Sequence, residues 1–146
     1  MKTRVTAMAA GIILLGLASA VLPAQDIYYR GSKIGEIEAD GDVYIRGSRV
    51  GCFTSGGDVY LRGSRIGEIE ADGDVYRGGS RVGEIEDDGD VYINGSRVGE
   101  VEEDGDVYCN GSRVGEARGV KRHWAAGFFF FFFWDLETGE PRSGES

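Results

Sequence analysis

The sequence predicts an all-β fold, in which tandem 16-residue repeats form an antiparallel β-meander curled into a barrel or sandwich. Three observations carry this. Copies of one unit begin at Asp26, Asp42, Asp58, Asp74, Asp90 and Asp106 without a gap, the clearest reading DVYLRGSRIGEIEADG. A fixed short period marks a repeat architecture, with one supersecondary piece per unit. Each unit holds two runs rich in β-branched and aromatic residues, separated by turn signals. The aliphatic positions collect on one face, and a sheet of twelve strands must close or pack to cover that face. The alternative is a β-solenoid with one coil per unit, but Asn-Gly and Asp-Gly turns at near-equal spacing favour the meander.

Taken in chain order, Lys2 and Arg4 precede an apolar run from Ala7 to Val21 and the small-residue pattern Ala18-Ser19-Ala20, with Ala24 as a second cleavage candidate. Residues 1–24 therefore read as a secretory signal peptide. The run is short for a span, which needs about 20 residues. The expected location is secreted or periplasmic, at the bacterial cell envelope. The formal charge of −9 argues against phosphate-backbone binding, so no nucleic acid partner is expected.

Residues 26–121 hold the six units. Position 1 is Asp, position 2 Ile or Val, and position 3 Tyr (Tyr28, Tyr44, Tyr60, Tyr76, Tyr92, Tyr108). Strand alternation puts Val43 and Ile45 on one face and Asp42, Tyr44 and Arg46 on the other. Asn94-Gly95 and Asn110-Gly111 are the strongest hairpin signals, and earlier units use Arg-Gly-Ser, with Gly supplying a positive φ. The second strand, as in Arg65–Glu70, ends at Asp72-Gly73, which reads as another two-residue turn. Ile66 and Ile69 are three apart, so a β-bulge at Gly67 is expected to bring both to one face. Positions 2, 4, 9 and 12 then form the aliphatic face.

Two units break the pattern. The second ends Cys52-Phe53-Thr54-Ser55-Gly56-Gly57 and lacks the acidic residues, and the fourth puts Arg77 at an aliphatic position. Arg77 either snorkels to solvent or marks an open edge or lumen. Cys52 and Cys109 lie in the second and sixth units, beyond the Cα limit of about 7 Å in a linear stack. Two thiols are expected, since a disulfide would require the array to fold back on itself.

Residues 122–146 are read as an aromatic capping or anchoring strand, Trp124 to Trp134 with Phe128 through Phe133 inside it, followed by a polar tail. As a strand the run is apolar on both faces, which suits burial. It would cap the open end of the array. Its basic flank and terminal Trp residues also suit a membrane surface or a partner, through Trp124, Phe128, Phe131, Phe133 and Trp134.

Two further candidate sites follow from the repeat. Opposing positions 3 and 8 would set each Tyr beside Arg49, Arg65, Arg81, Arg97 or Arg113 as a cation–π pair. Such a row is either a self-paired ladder or a surface for a protein or glycan partner. The second is an acidic turn, Glu38/Asp40/Asp42 and its copies, containing Asp72 and Asp74, Asp88 and Asp90, and Asp104 and Asp106. Oxygen ligands two apart would suit calcium, and the competing reading is a turn with soluble flanks. No other cofactor is expected. His123 is the only histidine, and no P-loop, nucleophile elbow or zinc spacing is present, so the chain reads as not an enzyme.

The Tyr-containing strand, the N-G-x-x-x-G turn Asn94–Gly99 and the D-G turn together resemble exported bacterial tandem β-hairpin arrays of the kind that includes the MORN repeat. The resemblance implies a hairpin array over Asp26 to about Gly115. The functional expectation is a non-catalytic structural or binding module of the cell envelope. The alternatives are a calcium-binding extracellular module and a peripheral membrane protein anchored by its Phe-rich tail.

Overall fold

The computed structural model describes residues 25–134. The expected signal peptide and the polar tail after Trp134 lie outside the described residues. Each unit forms one hairpin: β1 Gln25–Tyr29 with β2 Ser32–Ile37, β3 Asp42–Ile45 with β4 Ser48–Phe53, and β5 Asp58–Leu61 with β6 Ser64–Ile69. The other three are β7 Asp74–Arg77 with β8 Ser80–Ile85, β9 Asp90–Ile93 with β10 Ser96–Val101, and β11 Asp106–Cys109 with β12 Ser112–Glu116. Every strand pairs antiparallel with its sequence neighbour, and β1 pairs with β12. The meander is therefore a closed barrel, neither sandwich nor solenoid. Closure removes the free edges that a twelve-strand sheet would otherwise expose.

The two turn types divide the rims of the barrel. Within each hairpin, positions 5 and 6 both take positive φ, as at Arg30 (51°) and Gly31 (85°) or Asn94 (52°) and Gly95 (84°). That is the type I′ turn whose twist matches paired strands. The turns between hairpins are not the two-residue type expected of Asp-Gly. Only the glycine is left-handed (Gly41, φ 100°), and the Gly41 N–H donates to the Glu38 carbonyl at 2.8 Å. The Glu38 N–H in turn donates to the Asp42 carbonyl at 2.8 Å, which closes a three-residue loop ending in a bulge-type glycine.

The expected bulge is present in each hairpin. In the second, Arg49 pairs with Tyr44 and Gly51 with Val43, leaving Val50 as the extra residue. The bulged residue is thus position 9, just before the glycine. The glycine itself faces inward, opposite the position-2 valine, and both are buried.

That inward glycine explains how the barrel is filled. A twelve-strand barrel is too wide for wall side chains alone to close its lumen. Here residues 122–132 return through it as a helix: α1, Arg122–Ala126, runs directly into a wider π-helical segment π1, Gly127–Phe132. The aromatic run is therefore a helix, not the expected strand. A helix satisfies its own backbone, whereas a strand on the axis would leave buried amides unpaired.

Consecutive aromatic residues serve consecutive units. A Cβ added at Gly115 would meet Phe129, one at Gly99 would meet Phe130, one at Gly83 Phe131, one at Gly67 Phe132, and one at Gly51 Phe133. Trp134 continues the series, packing edge-on against Tyr29 of the first unit at 4.9 Å between centroids. Six units divide the circle into sectors of about 60°, whereas an α-helix advances about 100° per residue. The wider π form advances less per residue and so comes nearer to one residue per unit. Phe128 to Phe133 are 0–5 % exposed, so the run is the core of the molecule.

Candidate functional site

The outer wall follows from the register. Each position-3 tyrosine pairs with the position-8 cation of its own unit and the position-11 residue of the preceding one. Tyr44 lies between Arg49 and Glu36, Tyr76 between Arg81 and Glu68, Tyr92 between Arg97 and Glu84, and Tyr108 between Arg113 and Glu100. Tyr60 lies between Arg65 and Cys52, and Tyr28 between Lys33 and Glu116 across the barrel closure. The ladder circles the barrel, and its tyrosines are half-buried.

The expected Tyr–Arg cation–π pairs do not form, because the aspartate at position 1 holds the guanidinium. Arg49 binds Asp42 at 2.9 Å, Arg65 binds Asp58 at 2.8 Å, Arg81 binds Asp74 at 2.9 Å, Arg97 binds Asp90 at 2.8 Å and Arg113 binds Asp106 at 2.7 Å. A carboxylate is a stronger partner for guanidinium than a ring face. The hydrogen bond from Arg113 holds the Asp106 carboxyl below its usual range. The negative field of Glu38 pushes the Tyr44 phenol up, and Glu86 does the same to Tyr92.

The acidic triplets lie on one rim, at the turns between hairpins. In each, one oxygen per carboxylate falls within 4.8 Å of the others. Two of the three carboxylates already have work in the turn. Asp40 accepts from the Asp42 N–H at 3.1 Å, and Asp72, Asp88 and Asp104 repeat this with Asp74, Asp90 and Asp106. The second aspartate of each pair is the arginine partner named above. Calcium takes 6 to 8 oxygens, and three carboxylates with two engaged are a poor donor set for it.

The six phenylalanines of the aromatic run face the interior of the barrel. Phe128 and Phe133 are 0 % exposed, Phe131 is 5 % and Trp124 is 9 %, and Trp134 is half-buried against Tyr29. No described helix is long and apolar enough to cross a membrane. Arg77 is exposed at the mouth of the barrel, and its guanidinium donates to the Phe131 carbonyl at 2.7 Å, where a cation suits the C-terminal end of a helix. Cys52 and Cys109 are both half-buried and not disulfide-bonded.

The departure in the second unit opens a cleft of about 380 Å³ on the acidic rim. Its floor is Phe53, Ile69 and Trp124, with the rings of Phe53 and Trp124 stacked at 5.9 Å. One wall is the Thr54–Gly57 turn, where the Thr54 hydroxyl accepts the Asp58 N–H at 3.0 Å, as an aspartate does in the acidic turns. The facing wall is Lys121, Arg122 and His123. The Lys121 ammonium sits 4.5 Å over the Trp124 ring, and Arg122 donates to the Asp87 carbonyl. Burial pushes the His123 imidazole below its usual value, against the pull of Asp87 and with the push of Arg122. Glu70 stands at the edge, its carboxyl raised by burial and by Asp72. Sequence reasoning singled out both the odd turn and the lone histidine, but not their meeting. Joining residue 54 to residue 123 requires knowing that the chain returns through the lumen.

A family model described as the 5-fold beta-flower protein matches residues 24–133, about three quarters of the chain. No curated protein and no solved structure matches. The tandem hairpins behind the resemblance to MORN-type arrays are present, but the family matched is a different one. The chain belongs to the 5-fold beta-flower family, in a form that closes on six hairpins.

Proposed function

We propose that the protein is an exported, non-catalytic module of the bacterial cell envelope that binds a glycan through its outer wall. The observation that carries this is the continuous ladder in which each tyrosine is flanked by a cation and, in five of six units, a glutamate. Such a row sets ring faces beside charged hydrogen-bonding groups, the chemistry that grips a sugar ring and its hydroxyls. The helix fills the lumen, so recognition falls to the wall and rims. The carboxylates of the wall are bound to arginines and those of the turns to backbone N–H groups, which argues for scaffold over acid–base chemistry. The residues before Gln25 supply the export signal in this reading.

The test is co-sedimentation of the purified protein with insoluble peptidoglycan sacculi, beside fractionation of cells that produce it. Retention on sacculi, weakened several-fold by Tyr60→Ala combined with Tyr76→Ala, is the expected result. A cytoplasmic location, or equal retention of wild type and variant, would sink the proposal.

A further inference from the structure

The cleft of the second unit is independent of the outer wall and carries an inference of its own. The acidic rim has four carboxylate triplets, in the first, third, fourth and fifth units. The second unit replaces the glutamate and aspartate of that turn with Thr54 and Gly56. Two carboxylates are thus missing at the place where Lys121, Arg122 and His123 reach the rim. A chain with formal charge −9 presents here a local gap in its negative field, lined by cations.

Apart from Glu70, the charged and hydroxyl groups around the gap can donate. Arg122 uses one N–H on the Asp87 carbonyl, and a guanidinium has five. Thr54 accepts from Asp58 through its oxygen, which leaves its O–H to donate. Glu70 opposes a second negative charge on whatever binds. The floor of Phe53, Ile69 and Trp124 is apolar and nearly buried, with the two rings stacked on each other. The volume lies in the range of small-ligand sites.

We propose that this cleft binds a small organic monocarboxylate with a ring body, its carboxylate on Lys121 and Arg122 and its ring resting against the apolar floor that Phe53, Ile69 and Trp124 line. A neutral ring lacks the charge that the cations answer. A phosphate dianion meets Glu70.

The test reads Trp124 fluorescence in a Trp134→Phe background, which leaves one tryptophan, at the cleft. The probes are 4-hydroxybenzoate, benzyl alcohol and phenyl phosphate. Saturable change with 4-hydroxybenzoate below about 10 mM, at least tenfold weaker binding of the other two, and about tenfold loss in Lys121→Met are expected. The second variant is Thr54→Glu with Gly56→Asp, which gives the second unit the turn its neighbours already fold with. Its melt should match the wild type, and its binding of 4-hydroxybenzoate should vanish. No saturable change in the wild type, unaltered binding in the double variant, or preference for phenyl phosphate would each overturn the assignment. Sacculus binding reads the wall alone, so failure of one proposal leaves the other standing.

Discussion

Phe131 lies so close against Gly83 that a Cβ placed on the glycine would stand 2.7 Å from the phenylalanine ring and 2.3 Å from the carbonyl oxygen of Tyr92. Ring and neighbouring strand both occupy the space that any larger residue would need. The glycine at position 10 is therefore what lets a barrel wall and an aromatic helix share one lumen. Gly83→Ala is expected to cost about 3 kcal/mol through overpacking, seen as a fall in Tm of more than about 10 °C. Gly56→Ala is the control, since its nearest neighbour is the Thr54 hydroxyl at 3.9 Å. A control that melts as low as Gly83→Ala would refute the account.

The same packing makes the helix indispensable to the barrel. Phe131→Ala would empty a site 5 % exposed and should cost about 3–5 kcal/mol. A chain ending at Arg122 loses all six phenylalanines, and its melt, followed by circular dichroism, is expected to lose cooperativity. Because those rings are inside, the intact protein should stay in the supernatant when spun with liposomes. Pelleting of the intact protein with lipid, together with a cooperative melt of the shortened chain, would return the aromatic run to the role of an anchor.

Much of this barrel was legible in the sequence because its rules are local. The period, the strand alternation, the Asn-Gly turns and the bulge beside Gly67 each depend on residues within one unit. The aromatic run was not legible as a helix, since Phe128 to Phe133 has no periodicity to separate 3.6 from 2. A signal existed nonetheless. Gly35, Gly51, Gly67, Gly83, Gly99 and Gly115 put no side chain on the inward face, and the aromatic residues from Phe129 to Trp134 equal the units in number. The cation–π expectation failed for a different reason. Register alone sets Tyr44 beside Arg49, but Asp42, seven residues before the arginine, competes for the guanidinium and wins by charge. Four acidic turns were plain to read, whereas the cleft arises from the one internal turn that is not acidic.

The rim opposite the acidic turns carries backbone strain that can be relieved. Arg30, Arg46 and Arg62 hold φ values of 51°, 51° and 49°, where the equivalent residues of the later units are Gly78, Asn94 and Asn110. Asparagine tolerates the left-handed region better than arginine. Replacing all three arginines with asparagine is expected to stabilise the fold by about 0.5–1 kcal/mol at each site, with Tm rising accordingly. A lower Tm in the triple variant would mean that these side chains make contacts worth more than the strain.

The acidic rim should tie stability to pH in a direction the structure specifies. Burial, then the adjacent aspartates, raise the carboxyls of Glu70, Glu86 and Glu102. A carboxyl raised on folding binds its proton more readily in the native state, so its contribution is largest below its unfolded value and is lost as pH rises through the folded one. His123 acts the other way. Burial lowers it, so the unfolded chain takes up the proton first, and stability falls as pH drops below about 6.5. Removing the histidine separates the two effects. In a His123→Gln background, Tm is expected to climb as pH is lowered from neutral toward the ordinary glutamate value of about 4.3, then to fall below the ordinary aspartate value of about 3.9, where the unfolded chain takes up a proton that Asp106, held by Arg113, still refuses. Adding Glu70→Gln, Glu86→Gln and Glu102→Gln should raise Tm at neutral pH and flatten the climb. The same variant separates protons from metal: if millimolar calcium raises the Tm of the parent, the rise must disappear with the three glutamates. A climb that survives their removal would place its source outside the acidic turns.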